Sequence, residues 1–187
     1  MLVDDVADAV SAVPGAAVIA IDIPIGLPAT GRRAADDLVR QELGPRRSSV
    51  FYAPPRDVLL EDSYAAANAA AKRLHGFGIS KQSYMLRDKI LEVDALIGSD
   101  ARIHEVHPEL AFRVMGDTDL APKKSYAGAR QRIGLLADAG IVLPDDLGPA
   151  GTAALDDVLD AAAAAWVGQR IAAGTARSLP SPPDVDE

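Results

Sequence analysis

Three acidic positions stand apart from the surface charge of this chain: Asp22, Glu105, and the group Asp156, Asp157 and Asp160. Asp22 follows the unbroken apolar run Ala16–Ile21, and Pro24, Gly26 and Pro28 stop the extended segment just beyond it. Such a run is the pattern of a strand covered on both faces, as in a parallel sheet. In open α/β sheets, ligands gather at the carboxyl ends of strands. An isolated buried carboxylate is also costly unless something pairs with it or binds it. Asp22 is therefore the first candidate for a functional group.

Glu105 lies inside a second extended segment, Arg102–Val106, which His107-Pro108 shuts down. The helical acids open a long alanine-rich helix, where Asp157 and Asp160 share a face at i,i+3 and Asp156 and Asp160 at i,i+4. The plainer role for Asp156 and Asp157 is to complement the positive helix N-terminus. Asp160 lies a turn further in, at the start of the close-packing run Ala161–Ala165, which would aim it along the sheet edge toward the strand ends. The plainer role for Asp22 and Glu105 is a salt bridge, for instance to Arg46, Arg47 or Lys81.

If two strand carboxylates and one helix carboxylate converge, their mutual repulsion makes a divalent cation the natural resident. Oxygen-only ligands suit Mg²⁺ or Mn²⁺. Two such ions about 3.5–4 Å apart would activate a water and stabilise the leaving oxygen in phosphodiester cleavage. Asp22, Glu105, Asp157 and Asp160 form the expected catalytic and metal-binding set. Arg46-Arg47 with Ser48-Ser49, beside Phe51 and Tyr52, and Lys81 are the expected contacts for substrate phosphate, bidentate and point-charge respectively. His107 shares a strand face with Glu105 if the strand extends that far, where it would orient water or phosphate, or simply satisfy a turn. Lys123-Lys124 reads as a solvated loop, His75 as a helix end, and His104 as facing away from Glu105. No Ser-His-Asp arrangement, phosphate-binding glycine loop or dinucleotide fingerprint occurs.

The elements that must carry these residues follow from hydrophobic spacing and punctuation. A short helix over residues 4–13 ends at Pro14-Gly15. Thr30 is the expected cap of a helix from Arg32 to Leu43, stopped by Gly44-Pro45. Residues 44–55 read as a long ordered loop, neither helix nor strand. A helix from Ser63 to Leu74 is followed by a longer one that opens at Ile79-Ser80-Lys81 and runs to Ile97, burying Tyr84, Ile90, Val93 and Ile97. A short helix covers Leu110–Met115, a polar loop Asp117–Lys124, and another helix Tyr126–Ala139. Thr152 is the expected cap of the last helix, Ala153–Ala173. Only two strands are expected, parallel and joined in a βαβ manner, which is thin support for a domain of this size.

With 187 residues, 49% apolar and 25% charged, the chain has ordinary globular composition. It is long enough for one domain with a real core, expected over residues 1–177, followed by a flexible proline-rich tail at 178–187. No cysteine is present, which excludes disulfides and thiolate metal sites. A net charge of −8 argues against coating nucleic acid by bulk electrostatics, though not against a nuclease whose metal offsets repulsion locally. No apolar run approaches the roughly 20 residues of a membrane span, and the acidic N-terminus lacks a secretory start. A cytoplasmic protein with no membrane partner is expected.

Ile21–Pro28, Gly44–Phe51, Gly78–Gln82, Glu105–Glu109 and Asp157–Ala161 together resemble the signatures of the domain-of-unknown-function family numbered 429 (DUF429), in the expected order from Ala16 to Pro180. That family is described as predicted nucleases with a ribonuclease-H-like fold. The resemblance implies a three-layer α/β domain with a mixed sheet, whose metal-binding carboxylates map to Asp22, Glu105 and one or both of Asp157 and Asp160. Family members normally begin with a hairpin on a Gly-Val-Asp-Gly-like strand whose aspartate is the central ligand, and they close on a further strand. Against that pattern this chain starts later and lacks the closing strand. The expectation is a fragment or a late-start form, or a protein that has lost its first ligand, with sheet edges that another copy could cover.

Three readings follow. One is a metal-dependent nuclease or phosphodiesterase, impaired by the absent first aspartate. Another is a non-catalytic module binding phosphate or nucleic acid through the basic loop. The third is an actin-like nucleotide-handling or phosphotransfer enzyme, which rests on fold analogy alone.

Overall fold

The computed structural model of the chain describes residues 1–116 and 119–182. Of the expected polar loop and tail, positions 117, 118 and 183–187 lie outside the described residues. The protein is mixed α/β and mostly helical. In chain order the elements are α1 (Val6–Ser11), β1 (Ile19–Ile21), α2 (Ala34–Leu43), α3 (Arg56–Leu59), α4 (Tyr64–His75), α5 (Lys81–Met85), α6 (Arg87–Ile97), β2 (Ile103–Glu105), α7 (Pro108–Gly116), α8 (Tyr126–Asp138) and α9 (Leu155–Ala172). They gather into two compact units, one of Met1–Asp22 with Ala101–Ala176, the other of Ile23–Asp100 with the segment from Arg177.

In the first unit β1 and β2 pair in parallel, with Ile19 opposite Ile103 and Ile21 opposite Glu105. Bonds from Ile19 N–H to the Arg102 carbonyl (2.7 Å) and from Val106 N–H to the Ile21 carbonyl (2.9 Å) close the ladder at its two ends. Helix α9 lies against β1, and at Gly168 a side chain as small as a methyl would already sit 3.5 Å from Ala20 Cβ. Helices α7, α8 and α9 pack on one another around Phe112, Leu136, Leu159 and Ala163, all fully buried.

The second unit has two apolar clusters. One joins Val58, Ala67, Ala71, Ile79 and Tyr84, and the other joins Leu27, Leu59 and Ile90 with Ile23, Leu86 and Leu91 beside them. Ser63 and Ser80 cap α4 and α5 through their side chains, each accepting from the N–H three residues on.

Several expectations are corrected by local chemistry. The anticipated single helix from Ser80 to Ile97 is broken at Leu86, because Tyr84 O–H and the Arg87 guanidinium both donate to the Glu61 carbonyl (2.9 and 2.6 Å), pinning the chain on either side of the break. The loop at 44–55 contains a 3₁₀ helix, Gly44–Ser49, started by Pro45; the Arg40 guanidinium donates to the Arg47 and Val50 carbonyls and ties it to α2. Thr30 does not cap α2, which begins at Ala34 after Arg33, whose guanidinium reaches back to Asp36 and to the Ile25 carbonyl. Thr152 does not cap α9 either; it ends a 3₁₀ turn, Gly148–Thr152, and its hydroxyl donates to the Pro149 carbonyl. Pro108 opens α7 instead of merely ending β2, as its fixed φ and missing N–H allow at a first helical position.

Candidate functional site

Within the first unit, the paired strands set where the acids fall. Glu105 is the last residue of β2 and sits opposite Ile21, so Asp22 follows one step beyond it at the C-terminal end of β1. Asp160, on α9, is the strongest like charge acting on Asp22, with weaker contributions from Glu105 and Glu109. Asp22 keeps contact with water, yet the protein packed around its carboxyl withdraws it from much of its solvent shell. That burial, reinforced by the neighbouring carboxylates and only partly opposed by Lys123, pushes its pKa up to about 7.

The cation bonded to Asp160 is Lys123. Its Nζ donates to Asp160 Oδ2 at 2.7 Å and lies 3.9 Å from Asp156 Oδ2. Burial works against the charged form of both partners. At Lys123 the bond to Asp160 and the charges of Asp160, Asp156 and Glu109 outweigh it and hold the ammonium above its ordinary pKa. At Asp160 burial prevails over the lysine, and the carboxyl stays above its ordinary value. The Oδ1 atom of Asp160 is buried and has no hydrogen-bond partner among the described residues.

Lys123 is held in place by an assembly behind it. Arg132, fully buried on α8, donates to Glu109 Oε1 (2.7 Å) and to the carbonyls of Gly128 (3.0 Å) and Ala121 (3.1 Å). Ala121 N–H donates to Gln131 Oε1 at 2.8 Å, and Ser125 Oγ donates to the Pro122 carbonyl while accepting from Gly128 N–H. The segment from Ala121 to Ser125 is thereby fastened onto α8. Gly128 permits the approach, since a Cβ there would stand 2.1 Å from the Pro122 carbonyl oxygen.

Of the expected site residues, Asp22, Glu105 and Asp160 lie in this electrostatic neighbourhood. Asp157 is exposed on the first turn of α9, and it is Asp156 that shares the Lys123 face with Asp160. His107 caps α7, its Nδ1 accepting from Leu110 N–H at 3.4 Å, the turn-satisfying role. Strand β2 ends before it. Arg46, Arg47, Ser48 and Ser49 lie in the 3₁₀ helix and Lys81 at the start of α5, all in the second unit. Ser49 Oγ donates to the Arg46 carbonyl, while Arg47, Ser48 and Lys81 are exposed. His75, the last residue of α4, places Nε2 3.0 Å from Asp57.

Sequence reasoning missed Lys123, Glu109 and Arg132. Lys123 read as solvated loop because nothing local marks it; only the fastening of its segment to α8 brings it to Asp160. Glu109 and Arg132 are 23 positions apart and become a pair only through α7–α8 packing.

A test of metal chemistry gives a divided answer. Among the described residues, no three His, Cys, Asp or Glu side chains come together to hold an ion. The two-ion centre that the resemblance implies is not assembled among the described residues. Mg²⁺ more often takes one or two carboxylates together with waters and substrate phosphate. In this structure Asp160 Oδ2 is taken by Lys123, and Asp160 Oδ1 is buried without a hydrogen-bond partner among the described residues.

The raised Asp22 has a consequence for stability. Between its ordinary value of 3.8 and about 7 the folded protein binds a proton that the unfolded chain has released, so this residue's contribution falls as pH rises through that window and is flat above it. Asp22→Asn removes the effect. Its melting temperature should exceed that of the wild type at pH 8 by more than at pH 4, and a constant offset across that range would contradict the assignment.

The fold and site together describe an α/β protein with an acid–lysine cluster at the end of a parallel strand pair. The chain belongs to the family described as "Protein of unknown function (DUF429)", whose model matches residues 1–185. No curated protein and no solved structure matches the chain. Among the described residues, no helix is long and apolar enough to cross a membrane.

Proposed function

We propose that this DUF429 member is a metal-dependent phosphodiesterase or nuclease of ribonuclease-H-like type. In this reading Asp22 and Asp160 hold one Mg²⁺ or Mn²⁺, with Glu105 adding negative charge beside them. The observation that carries it is the crowding of carboxylate charge on Asp22 at the strand end, the place where open α/β sheets bind ligands. When bound, the ion would supply Lewis-acid polarisation of a phosphoryl oxygen and a more acidic water. The chain's own residues would do the rest: Asp22 and Asp160 would hold the ion, Lys123 would offer a positive charge to phosphate, and the Arg132–Glu109 assembly fastens the segment that carries Lys123. The second unit's Arg46, Arg47, Ser48, Ser49 and Lys81 are proposed phosphate contacts in their own right. A cytoplasmic location, a nucleic-acid substrate and association through the two open strand edges complete the reading.

The test is cleavage of single-stranded and structured RNA and DNA with Mn²⁺, by wild type, Asp22→Asn and Asp160→Asn. Each substitution should lower the metal-dependent rate by about 100-fold or more, the scale for losing a positioned catalytic group. Cleavage that ignores both substitutions would refute the nuclease reading.

Lys123 favours a second reading, a non-catalytic module that binds phosphate. An ammonium already seated in the acid cluster can meet an anion without any metal. Phosphate binding that persists in EDTA, without hydrolysis of any substrate, would select it.

A further inference from the structure

We propose that Arg32, seated on the rings of Tyr52 and Phe77 in the second unit, is an anchor for a phosphate ester, carried on a nucleotide or on a nucleic-acid strand. This rests on the phosphate-binding part of the reading above and needs neither a metal nor the acid–lysine cluster.

The observation behind it is a guanidinium that is held in place without being neutralised. Its central carbon lies 3.9 Å from the centre of the Tyr52 ring and 5.1 Å from that of Phe77. Arg32 is exposed, and among the described residues it makes no hydrogen bond or ion pair. Nearby arginines are committed: Arg33 to Asp36 and the Ile25 carbonyl, Arg40 to the Arg47 and Val50 carbonyls, and Arg56 to Asp94. An aromatic face attracts a guanidinium without accepting its in-plane N–H donors, so the fork that matches a phosphate stays open. A side chain already seated on rings also loses less freedom when an anion arrives.

The rings have their own supports. Tyr52 Oη donates to Asp37 Oδ1 at 2.9 Å, and the Arg40 guanidinium carbon sits 4.7 Å from the centre of the same ring. The Phe77 ring stands 6.0 Å from that of His75, whose Nε2 is bonded to Asp57. Through Arg40 the Tyr52 platform is tied to the 3₁₀ helix that carries Arg47 and Ser48, both exposed. A run of cations and hydroxyls suits a phosphate, or successive phosphates along a strand, better than a lone carboxylate.

The experiment measures fluorescence-anisotropy binding of two labelled probes, adenosine monophosphate and a single-stranded oligonucleotide, to the full chain in EDTA. Wild type is compared with Arg32→Met, Arg32→Lys, Tyr52→Leu and Arg47→Met. Arg32→Met should weaken binding by about tenfold or more, the scale of a lost charge-assisted contact. Arg32→Lys should lose nearly as much, because an ammonium keeps the charge but not the fork. Tyr52→Leu should weaken binding about two- to fivefold with Arg32 still present, the scale of one exposed cation–π contact. Arg32 is exposed, so its variants should fold as wild type does, and their affinities decide the matter. Binding of the mononucleotide identifies a nucleotide ligand. Binding of the oligonucleotide alone, with a salt slope lower by about 0.7 in Arg32→Met, identifies a strand. Wild-type affinity in either Arg32 variant would overturn the inference, and loss of binding in Arg47→Met beside it would leave the phosphate reading standing. No binding of either probe by wild type would overturn both.

Discussion

Arg132→Met is expected to destabilise the protein by about 3–5 kcal/mol, the usual cost of leaving one partner of a buried ion pair alone. Arg132 is fully buried and Glu109 nearly so, and methionine replaces neither the 2.7 Å bond to Glu109 nor the bonds to the carbonyls of Ala121 and Gly128. For a chain of this length that loss corresponds to a melting temperature lower by about 6–20 °C. The double substitution Glu109→Leu with Arg132→Met should recover part of it, because no uncompensated charge then remains. Urea denaturation of the four proteins, read as a double-mutant cycle, checks both statements. Equal losses in the single and double variants would show that the charge pairing is not what matters. The same substitution should loosen the Lys123 segment, since the Ala121 carbonyl loses its donor, so its effect should reach the site as well as the core.

Gly128→Ala is the second large effect, and its sign depends on which of two terms wins. On the first turn of a helix alanine is favoured over glycine by up to about 1 kcal/mol. Against that, the added Cβ would lie 2.1 Å from the Pro122 carbonyl oxygen and 2.8 Å from that of Ala121. Both neighbours are backbone, so relief requires moving the segment that carries Lys123, at the upper end of the roughly 1–3 kcal/mol typical of overpacking or beyond it. The net expectation is a loss of about 2 kcal/mol or more, accompanied by separation of Lys123 from Asp160. Gly134→Ala, on the same helix with nothing within 4 Å of its added carbon, is the control and should stabilise by up to about 1 kcal/mol. Thermal denaturation of both variants, with the pH dependence of Asp22 as a reporter of the site, separates the two terms. Similar stabilities for the two would remove the steric argument.

These two residues also show why part of the site was hidden. Asp22 was legible because it combines two local signals, an apolar run and a charge where the run stops. Asp160 was legible from its place one turn inside an alanine-rich helix, and the parallel pairing of β1 with β2 from two short apolar segments with helices between them. Element boundaries were less legible. The break at Leu86 comes from side chains bonding to Glu61, more than 20 positions away, and the start of α9 from a 3₁₀ turn that takes up Thr152.

The sequence by itself determined the family, the mixed α/β character, and Asp22, Glu105 and Asp160 as candidate acids, because each is encoded in spacings of a few residues. Only the tertiary structure decided that Lys123 is the cation facing Asp160, that Asp156 and not Asp157 shares that face, and that Glu109 is committed to Arg132. Those pairings join residues 23 to 37 positions apart. They depend on how α7, α8 and α9 pack and on one glycine that lets a backbone segment approach, and no local pattern of charge or hydropathy records such packing.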